Sequence, residues 1–304
     1  MKIKFTFGSL FTFTVKQSNL LTIVLLFLGS TLSFAQNSIG FVSGNIQFQF
    51  SPNVTTATVS AWGAGGPGGS VTTPSGAKVV AGGGGGAFAQ LSALSVSGST
   101  IYFGYAGIGG AGVNGVDGWN GNDSWFVNDT TLLAKGGVGG KLGATTTNGA
   151  VGTGGLASAS IVNVKFNGGN SSQGTAGSYS GAGGGSAGFG GIGGNASNAV
   201  GGTAGLGPPA GAVGAAGRSS GNGAGDNGNI PGSGGAGSKA SSGGIPADWN
   251  GEDGRILISY TGYCRPLSAL SATFIDLFTT AGGTTIINNV SSGIGGYGSR
   301  TGTI

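Results

Sequence analysis

Eight acidic residues, one cysteine and no histidine limit what chemistry this 304-residue chain can perform. Without imidazole, neither a Ser-His-Asp nor a Cys-His nucleophilic system can be assembled. A zinc site would lack its thiolates and imidazoles, and the lone Cys264 cannot close an internal disulfide. Asp117, Asp123 and Asp129 lie close together in D-G-W-N-G-N-D-S-W-F-V-N-D. Their oxygens could hold calcium, but the spacing is not that of an EF-hand loop, and turn capping is the expected role. Glu252 and Asp253 are adjacent. On an extended strand they face opposite ways, unlike the convergent carboxyls ~5–10 Å apart that glycoside hydrolysis needs. Gly82 to Gly86 is followed by no G-K-[ST], so it is not a phosphate loop. No catalytic, cofactor or metal site is expected. What remains is recognition through the four tryptophans, Trp62, Trp119, Trp125 and Trp249. Trp62 ends a strand-like stretch and is expected in the core. Trp119, between Gly118 and Gly121, is expected to project outward and is the candidate contact for a surface glycan or protein ligand.

The elements that would position these residues begin with a leader. Lys2, Lys4 and Lys16 are the only charges before an apolar run from Leu20 to Leu32, and small residues at Ser33 and Ala35 close it. This reads as a signal peptide, residues 1–35, cleaved near Ala35. The run is shorter than the ~20 residues of a bilayer span. The alternative is an anchor; export to the medium or the outer cell surface is the expectation. Loss of three lysines leaves nine basic against eight acidic residues, too nearly neutral for a nucleic-acid footprint. No membrane span is expected in the exported chain.

Glycine supplies 73 of 304 residues, about a quarter against a usual ~7%. A disordered linker would lack the 16 Phe, 6 Tyr and 4 Trp found here. The glycines also keep a register of three: Gly109, Gly112, Gly115, Gly118, Gly121, then runs over 137–155, 185–194, 202–217 and 225–243. Three is the period of the polyproline-II helix, which has no internal hydrogen bonds. With glycine on one edge, neighbouring legs can approach until their backbones bond to one another. One chain folding back on itself is expected, each run forming a leg of ~13 residues and ~40 Å. The five glycines 109 to 121 should face the bundle interior, and chain turns should fall between runs.

Strand-like segments flank this region. Ile46, Phe48 and Phe50 alternate with polar partners, as do Ala57, Val59 and Ala61, around a Ser51-Pro52-Asn53 turn. Leu94 to Phe103 reads as a second hairpin, and Gly254 to Tyr260 as a closing strand. The expected fold is mainly β and irregular, essentially without α-helix: a small antiparallel sheet or sandwich clamping a bundle of glycine helices.

The order of motifs A-W-G-A-G-G (61–66), G-G-G-G-G-A-F-A (82–89), N-D-S-W-F (122–126), L-A-K-G-G (133–137) and G-E-D-G-R-I-L-I-S-Y (251–260) resembles the bacterial and phage glycine-rich domain. The resemblance implies a β-clamped polyglycine-II bundle over 36–261, of the kind found in phage tail-fibre adhesins. From Tyr263, the Y-C-R-P stretch is similar to the opening of GEVED-type surface modules of Bacteroidota, and 262–304 reads as the truncated start of such a β-sandwich. Asp129-Thr130-Thr131 resembles the O-glycosylation signal of that phylum, with Thr130 as acceptor; a polar turn is the alternative. The expected function is a non-enzymatic adhesion or rigid spacer module. The alternatives are ice binding, through Thr145 to Thr147 and outward alanines after Gly211, or the non-catalytic part of a larger secreted enzyme.

Overall fold

The computed structural model describes residues 2–7, 11–16, 35–70, 80–113, 115–142, 149–175, 178–219, 223–239 and 249–262. The leader's apolar run, Thr145 to Thr147, and the tail from Tyr263 with Cys264 lie outside them. The chain forms two compact units. One gathers 1–36 and 261–281, and contains the hairpin of β1 (Lys2–Phe7) and β2 (Phe11–Lys16), paired from Lys2↔Lys16 to Phe7↔Phe11.

The second unit, 37–260 with 282–304, holds the two larger sheets. Its strands are β3 (Ala35–Val42), β4 (Gly44–Gln49), β5 (Thr56–Trp62), β6 (Phe88–Ser95), β7 (Ile101–Ala106), β8 (Ser124–Phe126), β9 (Leu132–Ala134), β10 (Val164–Phe166) and β11 (Arg255–Gly262). One sheet runs β10-β6-β5-β11-β3, the other β4-β7-β8-β9. A single 3-10 turn, Ala157–Ala159, is the only helical element among the described residues. Both sheets feed one core: Ile46, Ala106, Phe126 and Leu132 from the second meet Val59, Ala61, Ile256 and Ile258 from the first.

The two expected hairpins are corners instead. β4 pairs with β7 while β5 pairs with β6 and β11, so the turn at Ser51-Pro52-Asn53 carries the chain from one sheet to the other. The link from β6 to β7 does the same. Alternate residues of both strands must face the shared core, and crossing the sandwich achieves this: Phe50 and Val54, flanking the turn, are 2% and 1% exposed. The Phe50 ring packs on Tyr102 and Tyr260 at 5.3 and 5.5 Å between centroids.

Between strands the chain leaves the sandwich as short extended legs. Four are wholly buried: 63–70, 80–87, 180–187 and 232–238. Ten surround them: 107–113, 117–123, 135–142, 149–156, 167–174, 192–196, 201–206, 210–219, 224–229 and 249–254. Leg 80–87 shows the principle. Gly82 and Gly85 donate to Ser172 and Gly169, Gly83 and Gly86 to Gly235 and Gly232, and Gly84 and Ala87 to Val138 and Lys135. Its carbonyls accept by the same rule. Gly82 and Gly85 take Gly152 and Gly155, Gly83 and Gly86 take Gly184 and Ala187, and Gly84 and Ala87 take Gly66 and Gly63. Successive amides thus point to different legs and return every third residue, as a three-residue helical turn requires. The leg is surrounded hexagonally by its bonding partners, and its buried amides are paired from outside it.

The glycine runs divide differently from the expectation. Three of them hold two legs and the turn between them: 188–191 splits 185–194, 207–209 splits 202–217, and 230–231 splits 225–243. Gly115, expected to face inward mid-leg, lies in the turn between 107–113 and 117–123 with φ +75. These turns keep the three-residue phase, so the register continues across a reversal of direction. An eight-residue leg is therefore about 25 Å long rather than ~40 Å.

Where the legs leave the sheets sits Trp62, fully buried. Its indole N–H donates to the Ala187 carbonyl at 2.9 Å, Phe88 packs edge-on at 5.0 Å, and the Arg255 guanidinium lies 6.0 Å from its ring centre. The indole ties the end of β5 to inner leg 180–187.

A methyl at Gly84 would run into the Thr153 carbonyl, which the backbone of the outer leg holds in place. Gly84→Ala is therefore expected to lower unfolding free energy by several times the ~1 kcal/mol of an average substitution, and Val213→Thr on the outer rank by no more than ~0.5 kcal/mol. Denaturant titration checks the pair; equal midpoints would contradict the packing.

Candidate functional site

On an outer leg one amide in three points away from the bundle, and side chains of the adjoining leg accept several of these. Asp117, Asn120 and Asp123 accept from the amides of Leu142, Gly139 and Gly136, at 2.9, 3.1 and 2.8 Å. Asn167 and Asn170 accept from Ala157 and Gly154, and Asn250 and Asp253 from Gly112 and Gly109. Spacing by three matches the leg's own period. Asp117 and Asp123 are thus rungs of a ladder rather than turn caps. Lys141 and Lys135 on the facing leg pair with them at 3.3 and 2.5 Å. Among the described residues no three His, Cys, Asp or Glu gather as a metal site. Asn170→Ala would leave the amide of buried Gly154 without its acceptor. A loss of about 1–3 kcal/mol is expected, and Asn170→Asp, which keeps an oxygen there, should recover most of it on thermal unfolding.

The outer face of the β4-β7-β8-β9 sheet offers a different environment. β8 and β9 are three residues each, with the outer two buried and the middle one half-exposed, so alternation turns Trp125 and Leu133 outward. Register aligns them with Tyr105 of β7 in one row: Tyr105↔Trp125 and Trp125↔Leu133. With Asn122, Asp123 and Asp129 they line an open cavity of about 470 Å³. The Asn122 amide donates to the Tyr105 hydroxyl at 3.2 Å. Asp123 is occupied by Lys135 and by the Gly136 amide. Asp129 is carried in by a tight loop: Val127 adopts φ 68, and Asn128 Oδ1 accepts both the amide and the hydroxyl of Thr130.

Trp119 lies outside this cavity, 65% exposed on leg 117–123 with its amide donating to the Ala111 carbonyl at 3.3 Å. Thr130 is exposed, its hydroxyl turned to Asn128. Gly118 and Gly121 are buried, while Gly109 and Gly112 are half-buried against Gly251 and the Trp249 indole. Of the alanines after Gly211, expected to face outward, Ala216 is exposed, whereas Ala212 and Ala215 are 7% and 3% exposed, because Gly214 and Gly217 take the flank positions there. Sequence reading missed Tyr105 and Leu133. Their signal was one outward residue between two core-facing ones, in G-Y-A and L-L-A as in S-W-F, too short to stand out.

The chain matches the glycine-rich domain over residues 41–261, most of its length. It belongs to that family. No curated protein matches it. Glu252 and Asp253 sit side by side where leg 249–254 enters β11. Glu252 is raised above its usual 4.5 first by burial and then by the charge of Asp253, whose own Oδ1 holds the Gly109 amide. A carboxyl raised on folding adds stability below its unfolded value, and that contribution is lost as pH climbs through the folded value. Glu252→Gln should therefore melt higher than the parent at pH 7 and level with it at pH 4, in paired thermal scans.

Proposed function

We propose that this glycine-rich domain protein is a non-enzymatic, exported module that serves at the outer cell surface, or in the medium, as a rigid adhesion or spacer element. The observation that carries the reading is the division of labour within the bundle. Backbone bonds and the Asn and Asp ladders fix the legs, so the outward apolar side chains have no part in holding them together. Trp119 and Leu206 are 65% and 75% exposed on such legs. Large apolar side chains standing clear of a fixed scaffold suit recognition of a surface glycan or protein. The leader-like start supports export, and the GEVED-like tail supports attachment to a larger surface assembly. Absence of histidine supports a binding role over nucleophilic catalysis. Among the described residues no helix is long and apolar enough to cross a membrane.

The test is attachment. Labelled full-length chain is expected to bind cells, matrix or a glycan panel, and deletion of its gene to reduce attachment of the producing cell. Failure of both would refute adhesion.

A further inference from the structure

The cavity on the β7-β8-β9 face brings three features together. Its floor is apolar and aromatic, from Tyr105, Trp125 and Leu133 side by side across three strands. Its rim holds polar groups with spare capacity: among the described residues, the Trp125 indole N–H, the Asn122 side-chain carbonyl and the Asp129 carboxylate carry no intramolecular hydrogen bond. Its charge is net negative, since Lys135 offsets Asp123 and, among the described residues, no cation pairs with Asp129. We propose that this cavity binds a neutral pyranose unit of a surface glycan.

A pyranose presents an apolar C–H face and a rim of hydroxyls, each both donor and acceptor. The aromatic floor suits the first, because amphipathic rings offer large contact area at small entropic cost. The rim suits the second: Asp129 accepts from hydroxyls in charge-assisted bonds, and the indole N–H and Asn122 carbonyl supply a donor and an acceptor. The uncompensated carboxylate disfavours uronates, sialic acids and phosphates by like-charge repulsion. A peptide adding as a strand is not matched, because the floor is a sheet face and not an open edge. At about 470 Å³ the cavity falls within the usual size of small-molecule sites, and its openness admits a unit within or at the end of a chain.

Three-residue strands make the placement dependable. β8 and β9 are anchored by Phe126, Leu132 and Ala134 in the shared core, so Trp125 and Leu133 have fixed positions on the opposite face. Asp129 reaches the rim through the loop between them.

The proposal rests on the adhesion reading and is tested apart from it. Full-length chain is titrated by calorimetry with neutral oligosaccharides of glucose, galactose, mannose and N-acetylglucosamine type, and with a uronate oligosaccharide. Binding of at least one neutral sugar and none of the uronate is expected. Trp125→Ala should weaken that binding about tenfold or more, and Asp129→Asn about threefold or more. Val213→Thr, on an outer leg, should leave it unchanged. Because Asp129 is exposed in a loop, its variant reports on the site even if Trp125→Ala loses stability. If no neutral sugar binds, or if Trp125→Ala and Asp129→Asn bind as the parent does, the assignment is overturned. Cell attachment retained in full by both variants would refute this site and leave adhesion standing. Sugar binding lost in both, with no attachment of the parent to any cell or matrix, would uphold the site and remove adhesion.

Discussion

Everything in the second unit depends on backbone amides bonding to backbone carbonyls of other legs, with no Cβ between them. In a sheet each strand has two neighbours in its plane; here leg 80–87 bonds on every side. A three-fold helix turns its amides outward in three directions and makes no bond within itself, so the requirement to pair buried polar groups becomes a requirement for surrounding legs. Glycine is the consequence. Gly82, Gly83, Gly84, Gly85 and Gly86 in turn abut Ala182, Gly66, Thr153, Gly185 and Gly63, all through backbone.

Such a bundle cannot stabilise itself cheaply, since glycine loses more freedom on folding than any other residue and buries little apolar surface. The sandwich supplies what is missing. Its core holds Phe50, Phe126, Leu132 and Ile256, and its strand ends at Trp62, Phe88, Ala106, Ser124, Ala134 and Arg255 launch or receive legs. The legs that adjoin these strands are therefore held at one end by a hydrophobic core and along their length by neighbours. Trp62 couples the two systems, its ring in the apolar junction and its N–H on a leg carbonyl. The Asn and Asp ladders complete the scheme at the periphery, where a leg lacks a neighbour on one side.

Scaffold and recognition are accordingly separate. Inner legs consist almost wholly of Gly, Ala and Ser and cannot vary, whereas outward positions carry Thr, Leu, Val and Trp with little bearing on the backbone beneath them. The sheet face with Tyr105, Trp125 and Leu133 is free in the same sense, since the opposite face satisfies the core.

The amino-acid sequence determined the class of this fold by itself. Period three follows from the backbone geometry of a helix with three residues per turn, and alternation in Ile46 to Phe50 and Ala57 to Ala61 from the pleat of a strand; both are local and can be read one residue at a time. Inner and outer legs differ in composition once their places are known: G-A-G-G-P-G-G-S and V-A-G-G-G-G-G-A leave no room for an outward residue, while G-A-V-G-A-A-G leaves one per turn. Tertiary structure decided what depends on partners far along the chain. It placed turns inside the glycine runs, because a turn that preserves the three-residue phase leaves no mark in the spacing. It sent β4 and β5 to different sheets, because a corner and a hairpin share the same turn residues. It made Asp117, Asn120 and Asp123 a ladder, because their acceptor role exists only once leg 135–142 lies alongside. And it brought Tyr105, from a strand twenty residues earlier, to one cavity with Trp125, Asp129 and Leu133.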